Sequence, residues 1–195
     1  MTIRIPLALI AVFLVGCVPA YTLQKPGPVQ VAQGALTVQP SSAWNVAPRN
    51  ASLTKWEEVW TQNGLVLETV AFLGGVPDGK AIVVQKKKDE QQVPVFRSNM
   101  SPEDLVSMLE ASYRVKGITV FNVDSVDPVE FLGGQGIRVL YHYAPGDGIT
   151  KNGSCVFRIV DNKLYAMKLD GASSHYFSAA TPEFELLVNT ATLSK

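Results

Sequence analysis

The strongest constraint on the fold is a succession of short apolar runs, each of strand length and each cut off by residues that turn a chain. Leu36 and Val38 alternate with polar neighbours ahead of Pro40. Residues 56–61 and 65–72 flank Gln62-Asn63-Gly64, and Asn-Gly between such runs is the strongest short-range hairpin signal. Residues 81–85, 118–123, 129–132, 137–143, 155–160 and 164–169 continue the series, punctuated by Gly133-Gly134, Gly146-Asp147-Gly148 and Asp161-Asn162. Two helices interrupt it. Ser101-Pro102-Glu103-Asp104 supplies a cap, a first-turn proline and two acids ahead of the narrow apolar face Leu105, Met108, Leu109 and Ser112, and Lys116-Gly117 closes that helix. Thr181-Pro182-Glu183 opens a second with Phe184, Leu187, Val188 and Ala191 inward, after a short helical turn over 173–179. The pattern predicts an α+β fold, an antiparallel β-sheet meander with helices packed on it.

The first sixteen residues stand apart. Residues 5–15 are apolar but for Pro6, follow a single positive charge at Arg4, and fall short of the ~20 residues that span a bilayer. The run ends in Leu14-Val15-Gly16-Cys17, which matches the lipobox of bacterial lipoproteins at all four positions. That resemblance implies a signal peptide over 1–16, cut before Cys17, whose thiol carries a diacylglycerol and which is left as the acylated, palmitate-bearing N-terminus. Two or more acyl chains hold a protein stably on a membrane where one does so marginally. Val18 stands where an inner-membrane retention signal would show Asp, which implies sorting to the outer membrane, facing the periplasm. Residues 17–33 carry Pro19, Pro26 and Pro28 without apolar period and read as a lipidated cysteine on a flexible tether of at most ~55 Å. Residues 34–194 form the single globular domain.

Composition excludes some classes of partner. Lys plus Arg and Asp plus Glu both total 17, and removing 1–16 costs only Arg4. A near-neutral chain offers no basic surface for nucleic acid. Lys86-Lys87-Lys88 is balanced at once by Asp89 and Glu90 and reads as a solvated loop, with contact to anionic headgroups as the sharper alternative. Cys155, once Cys17 is acylated, has no partner, and its strand neighbours Phe157 and Ile159 make it a buried, inert thiol.

No catalytic residue, metal site or cofactor is predicted. Gly-x-Ser-x-Gly, His-Glu-x-x-His and Cys-x-x-Cys do not occur. The imidazoles are His142, between two tyrosines on the strand face of Arg138 and Leu140, and His175, at a helix start after Ser173-Ser174. Asp124 and Asp127 read as a solvated strand connection before Pro128, and Gly133-Gly134-Gln135-Gly136 as a tight turn. Trp56 and Trp60 are four apart and are expected on one face, as core or as an aromatic binding patch.

The opening Leu36-Thr37-Val38-Gln39-Pro40 with Trp44, the hairpin 162–167 and a terminal helix reading Phe184-Glu185-Leu186-Leu187-Val188-Asn189-Thr190-Ala191 resemble the start and end of PsbP-like and Mog1-like domains. The chain departs from PsbP-type chains in ending Thr190-Ala191-Thr192 where these often have Ser-Phe. The resemblance implies an α/β/α sandwich and a non-catalytic module that binds or assists protein complexes, and it assigns no functional residue. The expectation is therefore a membrane-held envelope lipoprotein that binds an envelope protein partner. The alternatives are an envelope hydrolase or transferase using His142 or His175, and a small apolar-ligand carrier.

Overall fold

The computed structural model describes residues 20–84, 93–146 and 148–194. Leu14, Val15, Gly16, Cys17 and the lysine run 86–88 lie outside the described residues. The chain runs β1 (Thr22–Gln24), β2 (Val29–Val31), β3 (Leu36–Val38), β4 (Trp44–Val46), β5 (Glu57–Thr61), β6 (Glu68–Pro77), α1 (Pro102–Val115), β7 (Val120–Phe131), β8 (Gly134–Ala144), β9 (Lys151–Val160), β10 (Lys163–Ala172), α2 (Tyr176–Thr190) and β11 (Thr192–Leu193). Eight strands form one antiparallel sheet in the order β1-β4-β5-β6-β10-β9-β8-β7, and β11-β3-β2 form a second, small one.

The large sheet separates two cores. On one face α2 presents Phe184, Leu187 and Val188 to Trp44, Trp60, Phe72, Met167 and Leu169, and the small sheet adds Val31 and Leu36. On the other, α1 presents Leu105, Met108, Leu109 and Tyr113 to Leu73, Val139, Tyr141, Cys155 and Phe157. Helices on both faces confirm the expected α+β sandwich. α1 begins where its cap predicts: Ser101 Oγ accepts from Asp104 N–H at 3.2 Å, and Asp104 Oδ2 accepts from Ser101 N–H at 2.9 Å. Two tight hairpins have both turn residues at positive φ, the signature of a type I′ turn: Asp161-Asn162 as expected, and Leu132-Gly133 one residue before the expected Gly133-Gly134, because Gly134, Gln135 and Gly136 already pair with Phe131, Glu130 and Val129 as the start of β8.

Several sequence expectations need correction. The stretch read as a tether belongs largely to the fold, because β1 pairs with β4, β2 pairs with β3, and Val31 and Ala32 are buried. Strands of three residues show no period, and Pro26 and Pro28 mark the link between two of them. Residues 118–123 and 129–132 join into the single strand β7, with a bulge between Val123 and Ser125, so Asp127 and Pro128 lie within a strand and not in a connection. That strand is the sheet edge, where a proline's missing N–H is tolerated. Residues 81–84 make one isolated bridge, Ala81 to Val95, and no strand. The turn at Asn63-Gly64 lengthens to residues 62–67, held by Glu68, which accepts from Thr61 Oγ1 and Asn63 N–H at 3.1 Å each. α2 runs unbroken through Pro182 from Tyr176. Its Ser178 carbonyl loses the usual donor, at an exposed residue open to solvent.

Candidate functional site

β10 is the strand that places charge inside the molecule. Met167 and Leu169 point to the α2 core, so Lys168 and Asp170 point to the α1 side, where they are 8% and 6% exposed. Lys168 Nζ lies 3.3 Å from Asp170 Oδ2. Asp170 also accepts from the Tyr113 hydroxyl at 2.7 Å and from the Tyr141 hydroxyl at 2.9 Å, and the two hydroxyls are 3.0 Å apart. Tyr113 comes from α1 and Tyr141 from β8, so one carboxylate ties the helix to three strands' worth of sheet. Gly153 on β9 makes this possible: it sits directly opposite Tyr141, and a Cβ there would fall 2.1 Å from the Tyr141 ring.

The electrostatics follow from burial. Burial alone would raise Asp170, but Lys168, then Lys116, then the two hydroxyls outweigh it and hold the carboxyl below its ordinary range. Burial would lower Lys168, but Asp170 and Glu57 outweigh it and raise the ammonium above its ordinary value. Burial, and secondly Asp170, push both tyrosines well up. Burial also raises the Cys155 thiol, which keeps it protonated and inert as expected. Lys116 sets its ammonium 4.4 Å from the Tyr113 ring centroid, and burial followed by Lys168 lowers it to about 7, although the residue as a whole is exposed. The cavity among Glu57, Ser112, Tyr113 and Lys168 is about 20 Å³, room for one water and no ligand. The cluster therefore pins α1 to the sheet.

A larger feature opens at the outer edge of that face. Met100, Leu105, Val126, Pro128, Ile137 and Phe157 line a groove of about 600 Å³ between the start of α1 and the β7–β8 hairpin. Phe157 and Leu105 form its floor, Val126 on the rim is 44% exposed, and Glu103 and Asp127 also line it.

The residues singled out in the sequence do not come together. Trp60 is fully buried in the α2 core, with its ring 4.8 Å from that of Phe72, whereas Trp56 packs on the α1 core. The two share no face, because β5 begins at Glu57 and the turn before it ends the alternation at Trp56. They form no joint aromatic patch. His142 Nδ1 lies 2.7 Å from Asp124 Oδ1, and its Nε2 lies 3.2 Å from Asn122 Nδ2, so both ring nitrogens engage β7. That side chain is 43% exposed and lines neither the small cavity nor the groove. His175 is exposed at the N-cap of α2, makes no side-chain cap, and sets its ring 5.4 Å from Tyr176.

The arrangement of a long antiparallel sheet between two helices has counterparts among solved structures. The cyanobacterial PsbP of Synechocystis sp. PCC 6803 superposes with a TM-score of 0.56 at 12% identity, over 91% of this chain and 96% of that one. The fold is PsbP/Mog1-like. The Ran-binding protein Mog1p of Saccharomyces cerevisiae superposes with a TM-score of 0.52 at 13% identity, over 89% of this chain and 96% of that one. The Mycobacterium tuberculosis protein LpqN, involved in cell envelope biogenesis, reaches a TM-score of only 0.36 at 11% identity. No protein-family model and no curated protein sequence matches the chain. At these identities the likeness speaks to the fold alone.

The Lys168–Asp170 pair escaped the sequence reading because Met167-Lys168-Leu169-Asp170 looks like a strand with one wet face. The expected sandwich already held the missing signal: a central strand covered on both sides has no wet face, so its charges must pair internally.

Proposed function

We propose that this chain is a lipid-anchored protein of the bacterial cell envelope, sorted to the outer membrane, which binds an envelope protein partner through the groove beside β7 without catalysing a reaction. The groove carries this reading. It is apolar at its floor, exposes Val126, and is bordered by Glu103 and Asp127, while the guanidinium of Arg158, which also lines it, is engaged by the Phe131 carbonyl at 2.9 Å, a combination suited to a segment with aliphatic anchors and a basic residue. Mog1p, of the same fold, is described as Ran-binding, which supports a protein-binding use of this scaffold. The lipobox ending in Cys17 supports the anchor.

Photo-crosslinking from position 126 in living cells tests the partner. A discrete adduct that is lost on Ile137→Glu supports the groove; labelling that ignores that substitution refutes it. Cys17→Ala tests the anchor. The variant is expected as a folded, soluble domain, and one that still fractionates with membranes by itself refutes anchoring through lipid.

A further inference from the structure

We propose that the β1 edge of the sheet is a membrane-contact surface: Tyr21, Leu23 and Lys25 rest on the phospholipid surface that holds Cys17, and the groove beside β7 faces away from it. This rests on lipidation of Cys17 as proposed above and adds the orientation that lipidation leaves open.

Chain length is the first argument. β1 begins at Thr22, so only four residues carry the chain from Cys17 to Tyr21, at most ~14 Å when fully extended. The sheet edge is held beside the headgroups. Side-chain chemistry is the second. Tyr21 and Leu23 are 48% and 60% exposed, and Lys25 is exposed as well. Spaced by two, they share one side of extended chain. An amphipathic ring, an aliphatic side chain and a flexible cation suit the interface between headgroups and acyl chains, where tyrosine is enriched and lysine meets anionic lipid. A second copy of the chain would fit this edge less well, since a strand of three residues offers only a short ladder. Topology is the third. β1 and β7 are the two ends of an eight-stranded sheet, so roughly 33 Å of sheet, at ~4.8 Å per strand, separates the anchor from the groove.

The test uses the full lipidated protein in vesicles of phosphatidylethanolamine and phosphatidylglycerol. An environment-sensitive fluorophore is attached in turn through Leu23→Cys and Val126→Cys; Cys155 is buried and does not compete. Intact mass first reports whether Cys17 carries diacylglycerol. The position 23 probe should be quenched severalfold more by a lipid-borne quencher than the position 126 probe, with the order reversed for aqueous iodide. A modified Cys17 with equal iodide access at both positions overturns the orientation and leaves the anchor standing. An unmodified Cys17 overturns the anchor and the orientation with it. Hydrogen exchange of the unlabelled protein gives a second reading: β1 and β4 amides should slow on vesicles relative to detergent while β7 amides do not, and equal rates in both overturn the proposal.

Discussion

Asp170 shows how one residue can fix a helix on a sheet. Removing its charge by Asp170→Asn leaves the Lys168 ammonium buried without its partner and should cost about 3–5 kcal/mol in denaturant unfolding. Gly153→Ala should cost about 1–3 kcal/mol, because the new methyl group displaces the Tyr141 ring that lies over that position. Neither residue announced itself in the sequence. Gly153 reads there as one more small residue near a turn, and its meaning comes from a strand partner twelve positions away. Cys155 was legible for the opposite reason, since its environment is set by Phe157 and Ile159 on its own strand. Trp56 misled because alternation was extended one residue ahead of the start of β5.

At the level of elements, what could be read was whatever is decided locally. The capping box of α1, the apolar face of that helix and the Asp161-Asn162 turn depend on neighbours in the chain and stand as expected, while the β7–β8 turn falls one residue earlier than its glycines suggested. Elements too short or too interrupted to show a period were misread, among them the three-residue β1 and β2 and the unity of β7 across its bulge. β7 also carries its own protection. Its outer edge combines a bulge, Pro128, Asp124, Asp127 and Glu130, the devices by which natural sheets discourage pairing with another chain. Replacing Asp127 and Pro128 together by valine should remove that protection. Sedimentation velocity should then show concentration-dependent self-association absent from the parent chain, and a strictly monomeric variant would show that the edge is guarded by something else.

For the molecule as a whole, the buried cluster sets the pH range of stability. Asp170 is depressed from 3.8, so its contribution is present above about pH 4 and is lost as the pH falls through the folded value. Tyr113 and Tyr141 are raised from 10.0 and Lys168 from 10.5, so their contributions hold below about pH 10 and are lost above it. The denaturant midpoint should therefore be highest between about pH 4 and 10, and Asp170→Asn should flatten the acid limb. The small sheet has a bearing on how the molecule is made. β3 is clasped between β2, just before it in the chain, and β11, the last strand, so residues 36–37 wait for residues 192–193. Contacts so far apart are slow to form. A chain emerging with its N-terminus first therefore leaves the β3 edge unpaired along that seam until β11 has been made.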